Sequence, residues 1–150
     1  MPTHLRPSGL LWVFLGGVAG TGARALMLEW FPNGQDLHWA VLGINLLGAF
    51  LLGILLQALL SRGLSAGGWL QLRLLFGTGA LGGFTTYSAL SEGIIALTAS
   101  GDPLGAALYG FGTVVLGAGA TWAGIAVSSV RRGTRSQAAG SGADEDVSDA

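Results

Sequence analysis

A short polar stretch, Gly82–Leu90, interrupts a region of the sequence that is otherwise hydrophobic. It reads Gly-Gly-Phe-Thr-Thr-Tyr-Ser-Ala-Leu, and its paired glycines and hydroxyls predict a break in a membrane-spanning helix. Backbone that leaves helical geometry at membrane depth is tolerated only where protein or a water-filled path surrounds it. Because half-helix ends carry oriented dipoles, membrane proteins build ion sites at such breaks. The stretch is therefore the leading candidate for a functional site.

The polar side chains at membrane depth favour an anion over a cation. They supply amide, hydroxyl and guanidinium donors, whereas a cation path more often presents inward-facing Asp or Glu; Glu92 is the acid near the predicted break. Aromatic ring edges add electropositive contacts, because the ring quadrupole is negative on its face. The candidate residues are Arg24, Asn45, Thr85, Thr86, Ser88, Tyr109 and Thr113.

Most of these residues also have a structural interpretation. Arg24 can snorkel towards the headgroups or pair with Glu29. A lone amide such as that of Asn45 commonly bonds a neighbouring helix, and on its own this is the better-supported role. Tyr109 and Thr113 lie four residues apart on one helix face, and alone they would indicate packing.

Composition identifies lipid as the main solvent of the chain. Its residues are 51% hydrophobic and 10% charged, with a mean hydropathy of +0.61, whereas soluble domains carry about 25% charged residues. Four segments reach the ~20 apolar residues of a spanning helix, at about 10–30, 39–60, 70–98 and 104–127. We expect an all-α integral membrane protein of four transmembrane helices, the third broken mid-membrane, in one domain of residues 1–130. The polar residues 131–150 predict a disordered cytoplasmic tail.

Other functions find little support in the sequence. No Ser/His/acid set or carboxylate pair suits catalysis, and His4 and His38 lie outside the predicted spans, so no enzyme is predicted. Gly77–Gly82 matches G-x-G-x-x-G, but a membrane span rather than a strand leads into it, which excludes a dinucleotide site. The chain has no cysteine, and nothing predicts a nucleic-acid partner.

The distribution of arginines predicts which way the helices face. Apart from Arg24, the six other arginines fall in the N-terminus, the second connection or the C-terminus. The positive-inside rule then predicts that both termini are cytoplasmic.

Pairs of small residues four apart let helix backbones approach closely in lipid, and such pairs occur at Gly16/Gly20, Gly79/Gly83 and Ala120/Gly124.

Three blocks in successive predicted spans carry most of these polar residues. They are Gly16-Gly-Val-Ala-Gly-Thr-Gly-Ala-Arg24, Asn45-Leu-Leu-Gly-Ala-Phe50 and Gly82-Gly-Phe-Thr-Thr-Tyr-Ser88. In order and position the blocks resemble the first-, second- and third-helix motifs of the small four-span fluoride channels of the Fluc/CrcB family. The resemblance covers nearly the whole chain except its termini, and the third block is its most specific part.

The resemblance implies a passive fluoride channel of the bacterial inner membrane, an antiparallel dimer with two pores that relieves fluoride toxicity. It implies a structural sodium ion held by the backbone carbonyls of Gly82 and Thr85. Arg24 is expected at a vestibule or in a structural role. The family's pore positions correspond here to Asn45, Tyr87, Ser88, Leu90, Tyr109 and Thr113.

Several positions depart from the family pattern. Leu90 stands where a second pore ring, usually Phe, is expected, so we predict that the pore receiving Leu90 is weak or silent. Ala89 and Gly117 replace hydroxylated residues, and Val41 occupies another commonly hydroxylated position. Glu92 is displaced by one residue from the usual acid.

The arginine bias also predicts the partner of such a dimer. A chain that inserts in both orientations should carry balanced positive charge on its two sides, whereas a six-to-zero bias favours one orientation. We therefore expect a heterodimer with a homologue of opposite bias.

The alternative function is a non-conducting structural or regulatory subunit, motivated by Leu90, Ala89 and Gly117. A proton-coupled transporter has less support, because only Glu92 could carry the proton.

Overall fold

The fold is helical throughout the residues that the structure describes, which are 7–31, 34–60 and 67–145 of a computed structural model. The elements in chain order are α1 (Pro7–Glu29), α2 (Gly34–Leu60), α3 (Gly67–Leu72), a π-helix (Arg73–Leu81), α4 (Gly82–Phe84), α5 (Tyr87–Ala99) and α6 (Pro103–Glu145). No strand occurs within these ranges. The predicted all-α class is confirmed.

Three helical segments are long and apolar enough to cross a membrane: Pro7–Glu29, His38–Leu60 and Pro103–Ser129. They match the first, second and fourth predicted spans to within a few residues. Their surfaces carry exposed apolar side chains such as Phe14 and Val114, which suits contact with lipid tails. Because α2 begins before His38, this histidine lies in the second apolar helix, and its predicted place outside the spans was wrong.

The predicted third span, residues 70–98, is divided among α3, the π-helix, α4 and α5. None of these pieces alone has the length that a spanning helix requires. The π-helix was not predicted from the sequence. Its i→i+5 hydrogen bonds widen the helix, and such segments are frequent at functional sites; here it leads directly into α4 and the residues of the polar stretch.

The last helix continues beyond the predicted end of the fourth span. α6 extends to Glu145, so residues 131–145 are helical where the sequence predicts a disordered tail. No proline follows Pro103, and nothing therefore removes a backbone N–H from the hydrogen-bond ladder of this helix. The remaining predicted tail, residues 146–150, lies outside the described residues.

Glycines bring α1 directly against the backbone of the π-helix and α4. A Cβ atom at Gly16 or Gly20 would collide with carbonyl oxygens of the facing segment. In return, a Cβ atom at Gly79 or Gly83 would lie only 2.7 or 2.6 Å from carbonyl oxygens of α1. The predicted close packing of both glycine pairs is confirmed, and α1 fixes the segment that precedes the polar stretch.

The second close pair of helices is α2 with α6. A Cβ atom at Gly53 would collide with a carbonyl of α6, and one at Gly124 with a carbonyl of α2. The face of α2 that turns inward is the best-buried part of the fold, since Val41 and Ile44 are each only 1% exposed. α5 packs against α2 and α6, so the residues of the polar stretch lie between the two helix pairs.

We expect Gly20→Ala to destabilise the protein, because the new Cβ atom would meet the Ala80 backbone, which cannot turn aside as a flexible side chain would. Overpacking of this kind costs about 1–3 kcal/mol. The measurement is the thermal unfolding temperature of the detergent-purified protein. Gly22→Ala on the same helix is the matched control, since a Cβ atom there meets nothing within 4 Å. Equal unfolding temperatures would contradict the close contact of α1 with the π-helix.

Candidate functional site

The helix break consists of two extended residues between α4 and α5. Thr85 has φ −76° and ψ 154°, and Thr86 has φ −143° and ψ 121°. The non-helical part is therefore narrower than the predicted stretch, because Gly82–Phe84 and Tyr87 onwards are helical. The extended residues leave backbone groups that a continuous helix would have paired.

Asn45 of α2 supplies the partners that Thr86 loses at the break. Its side-chain carbonyl accepts a hydrogen bond from the Thr86 N–H at 2.9 Å, and its amide donates to the Thr86 carbonyl at 3.1 Å. The amide of Asn45 therefore pairs with both the N–H and the C=O of one residue, as a neighbouring strand would. When Asn45 is considered without the family resemblance, the sequence favours a hydrogen bond to a neighbouring helix segment, and this contact is such a bond.

Gly48, three residues after Asn45, makes room for the break. A Cβ atom at Gly48 would collide with the methyl group of Thr85 and lie 3.4 Å from the Phe84 ring. Residues three apart share a helix face, so one face of α2 both binds Thr86 and accommodates Thr85. This relation explains in physical terms why Asn45 and Gly48 occur together in the second sequence block.

Thr86 begins α5 as its N-cap residue. Its hydroxyl oxygen accepts a hydrogen bond from the Ala89 N–H at 3.2 Å and lies 3.2 Å from the Ser88 hydroxyl. A threonine cap satisfies one of the orphan N–H groups of a helix start. Thr86 is buried, whereas Ser88 is exposed, so the Ser88 hydroxyl is the group of this pair that can reach a ligand.

The carbonyl oxygens of Gly82 and Thr85 are among those that lose their helical donors at the break. The Thr86 N–H, which a continuous helix would donate to Gly82, bonds Asn45 instead. The Ala89 N–H, which would reach Thr85, bonds the Thr86 hydroxyl. These are the two carbonyls that the resemblance assigns to a sodium ion, and hard oxygen atoms from unwound helix suit that ion.

Arg24 approaches one of these carbonyls from α1. Its guanidinium donates to the Thr85 oxygen at 3.4 Å, a long contact that leaves room for a second partner on the other lone pair. Snorkelling and pairing with Glu29 were the structural interpretations of Arg24 from sequence, and the contact with the break is a further one that the sequence did not suggest. In the part of the chain that the structure describes, no cluster of His, Cys, Asp or Glu could hold a metal, so a cation here would depend on backbone oxygens.

The two predicted ring positions lie in opposite environments. Tyr87 is 82% exposed although it directly follows the break, whereas Leu90 is 7% exposed within the chain. The two residues lie three apart on α5, and Leu90 lines a groove of about 410 Å³ together with Asn45, Thr86 and Thr113. Leu90 contributes only hydrocarbon to this groove, which agrees with the sequence argument that it offers no ring edge.

Tyr109 and Thr113 of α6 face the same interior. Thr113 is buried and donates its hydroxyl to the Tyr109 carbonyl at 2.6 Å. The Tyr109 hydroxyl is buried and has no hydrogen-bond partner among the described residues. A buried phenol that lacks a partner normally meets water or a ligand, so Tyr109 has a donor available for an ion or a water molecule.

Two concave regions meet at Thr113. It lines both the groove at the break and a larger cavity of about 720 Å³. The larger cavity also contains Tyr109 and His38, whose rings meet edge to face with centroids 5.6 Å apart. Sequence reasoning missed His38, and the signal that could have identified it is its spacing of seven residues from Asn45, which places both on one face of α2.

The predicted polar residues are divided between the two concave regions: Asn45, Thr85 and Thr86 line the groove, Tyr109 lines the larger cavity, and Thr113 lines both. Ser88 is exposed and lines neither. The described residues lining the groove and the cavity include no Asp or Glu. Glu92 is exposed and belongs to neither lining. The arrangement is chemically suited to a small anion that exchanges its water for hydrogen-bond donors.

Comparison with known proteins identifies the relatives of this chain. A family model described as "CrcB-like protein, Camphor Resistance (CrcB)" matches residues 11–125. Fluoride-specific ion channel FluC 2 of Leifsonia xyli is 42% identical over 135 residues, which are 88% of this chain and 93% of the relative. FluC 1 of Cutibacterium acnes is 41% identical over 132 residues, 87% and 92% of the two chains. FluC of Thermus thermophilus is 39% identical over 109 residues, 71% and 83%.

We expect Asn45→Leu to destabilise the protein by about 1–3 kcal/mol, because it leaves the Thr86 N–H without a partner in an apolar interior and removes one hydrogen bond to the Thr86 carbonyl. The measurement is the thermal unfolding temperature in detergent. Ser91→Ala is the matched control, since the Ser91 hydroxyl is bonded only to the Tyr87 carbonyl of its own helix. If Asn45→Leu unfolds at the control temperature, the pairing of Asn45 with Thr86 contributes nothing to the break.

Proposed function

The chain belongs to the FluC/CrcB family of fluoride ion channels, and we propose that it is a subunit of a passive, fluoride-selective channel that exports cytoplasmic fluoride. The observation that carries this proposal is the break at Thr85 and Thr86, where Asn45 and Thr86 line a groove with amide and hydroxyl groups and the Ser88 hydroxyl lies 3.2 Å from that of Thr86. The described residues of that groove include no carboxylate. Such donors can take the place of water around a small anion.

A passive mechanism suits the chemistry of fluoride. Hydrogen fluoride crosses membranes and dissociates in the near-neutral cytoplasm, so fluoride accumulates there as the anion. An anion leak lowers its concentration, relieves its toxicity and requires no energy source. A proton-coupled transporter would place a titratable carboxylate or histidine within its spans. Glu92 lies outside both linings, whereas His38 lines the larger cavity, so the dependence of efflux on a proton gradient decides between the two mechanisms.

We place the protein in the bacterial inner membrane as a four-span unit. In this proposal residues 67–99 make up the remaining crossing, which is the third in chain order. Together they exceed the ~20 residues that a crossing needs. Their broken helix is compatible with membrane depth because α1, α2 and α6 surround it and Asn45 pairs its freed backbone. The arginine bias favours cytoplasmic termini.

The proposed fluoride path follows the polar face between α2, α5 and α6. Asn45 contributes at the break, Thr113 at the junction of groove and cavity, and Tyr109 within the cavity. The exposed Ser88 hydroxyl is proposed to join the path through its contact with the Thr86 hydroxyl. The free Tyr109 hydroxyl is the donor with most to gain from an anion, because it has no other partner in the described residues. Arg24 has a structural role in this proposal, since it holds the Thr85 carbonyl.

Tyr87 supports an antiparallel dimer. Its ring is 82% exposed beside the break, and a tyrosine near membrane depth needs a polar partner for its hydroxyl. In the dimer the ring would face a pore formed with the partner and present its electropositive edge to the anion. Leu90 offers no such edge, so the pore that receives it is expected to be weak or silent.

The dimer would also provide a site for a structural sodium ion. The Gly82 and Thr85 carbonyls of one chain have lost their helical donors, but two oxygens are few for a cation. A second chain would contribute equivalent carbonyls across the dimer axis. When bound, sodium would neutralise these carbonyl dipoles and hold the two breaks together.

The charge distribution favours a heterodimer. Five arginines lie outside the spans on one side, a sixth, Arg73, lies early in the crossing of residues 67–99, and none lies on the other side. This chain then has one preferred orientation, and its antiparallel partner is a homologue of opposite bias. A second candidate function, a non-conducting subunit of that dimer, is favoured by the buried, aliphatic Leu90 at a ring position.

Fluoride efflux from liposomes tests the channel and the heterodimer together. We expect rapid, proton-gradient-independent efflux when the chain is co-reconstituted with a homologue of opposite arginine bias, and little efflux from the chain alone. C-terminal reporter fusions should show a single orientation. Full efflux from the chain alone would contradict the heterodimer while supporting the channel. Absence of efflux from both preparations would contradict the channel.

We expect Tyr87→Leu to lower fluoride efflux about tenfold, a ratio that corresponds to ~1.4 kcal/mol of lost contact between ring edge and anion. Tyr87→Phe is the matched control, because it keeps the ring and should keep most of the flux. Initial efflux rates of equal amounts of dimer in liposomes provide the measurement. Equal rates for Tyr87→Leu and Tyr87→Phe would exclude a role for the ring in the pore.

A further inference from the structure

His38 is the polar side chain of the larger cavity to which no role is yet assigned. It lines this cavity of about 720 Å³ with Ser100, Tyr109 and Thr113. His38 lies in the first turns of α2, and Ser100 lies beside the connection between α5 and α6. The cavity is therefore at the end of the helix bundle, where an ion would enter or leave.

The position of the His38 ring is fixed by two neighbouring helices. The ring meets Tyr109 edge to face at an interplanar angle of 87°. A Cβ atom at Gly93 would lie 2.7 Å from His38 Cδ2 and 2.9 Å from Tyr109 Cε1. The missing side chain at Gly93 thus creates the space in which both rings sit, and any larger residue there would displace them.

His38 is aligned with the proposed path. It precedes Asn45 by seven residues on α2, so the two share a helix face and are separated by about 10.5 Å along the axis. Tyr109 and Thr113 form a similar row on α6. Thr113 lines both concave regions, so a continuous series of polar groups leads from His38 to the break.

We propose that His38 is an anion-attracting residue at the mouth of this path and that its protonation raises the rate of fluoride passage. This inference rests on the proposed channel function. A neutral imidazole offers one N–H donor, whereas the imidazolium offers two donors and a full positive charge. Histidines gain that proton within the range of pH 5 to 8, in which fluoride itself remains an anion.

The surroundings leave His38 as the source of positive charge in the cavity. Tyr109 of α6 is the other titratable group among the described lining residues, which include no arginine, lysine or carboxylate. On α5 the nearest acid in sequence is Glu92, which is exposed beside Gly93. Ahead of α6, Asp102 accepts a hydrogen bond from the Gly105 N–H at 2.8 Å, and Gly105 lines the cavity whereas Asp102 does not.

The test compares fluoride efflux at about pH 7.5 and about pH 6.0, on either side of ordinary imidazole titration. The protein is the full chain reconstituted in its conducting form, and protein-free vesicles at each pH give the background leak of hydrogen fluoride. We expect the wild-type rate to rise about fourfold at the lower pH, the effect of a unit charge about 10 Å from the anion at an effective dielectric constant of about 40.

Three variants make the test specific. His38→Gln should remove the pH response, and His38→Lys should show high efflux at both pH values because its charge is permanent. His4→Gln, which removes the other histidine of the sequence, should keep the response. The Lys variant keeps the test informative if His38→Gln fails to fold.

Each remaining outcome would overturn the inference. A pH response that persists in His38→Gln, or a His38→Lys variant that still responds to pH, would exclude His38 as the titrating group. Wild-type efflux that is the same at both pH values would refute the role of His38 and leave the channel function standing. No fluoride efflux at either pH from correctly assembled protein would refute the channel function as well.

Discussion

The pairing of Asn45 with the backbone N–H and C=O of Thr86 is the interaction on which the rest of the site depends. Unpaired backbone polar groups in an apolar interior cost several kcal/mol, so a break in a membrane helix persists only where another group binds them. One amide side chain does so in both directions, with distances of 2.9 and 3.1 Å. The same pairing frees the carbonyl of Gly82 and leaves the Thr86 hydroxyl to cap α5, which is how one contact creates the oxygen and hydroxyl groups of the site.

Close backbone packing holds this interaction in place. Gly16 and Gly20 bring α1 against the π-helix, and Gly53 and Gly124 bring α2 against α6. Residues with side chains at these positions would push the helices apart and separate Asn45 from Thr86. The abundance of glycine in the chain thus serves the site directly, because in lipid close van der Waals contact is a main source of helix association.

Much of this arrangement could be predicted from local sequence, and the rest required three-dimensional contacts. Apolar segment length predicts the three long helices, and the glycine-threonine stretch predicts the break. The π-helix could not be predicted, because its residues have the same apolar composition as an α-helix. The helical state of residues 131–145 was missed because composition reports polarity rather than the continuity of a hydrogen-bond ladder. From sequence, His38 was assigned to the connection before the second span because it lies at the edge of the apolar segment. Only the three-dimensional contacts of its ring with Tyr109 and Gly93 show that it lies inside the helix bundle.

Solid-state NMR of the isotope-labelled protein in lipid bilayers would test the central claim most directly. The measurement is the ¹³C–¹⁵N dipolar coupling between the side-chain carbonyl carbon of Asn45 and the backbone nitrogen of Thr86, together with the chemical shifts of residues 84–88. We predict a coupling that corresponds to a direct hydrogen bond, since the nitrogen lies 2.9 Å from the amide oxygen, and extended-backbone shifts at Thr85 and Thr86. Helical shifts throughout this segment with no coupling to Asn45 would contradict the account.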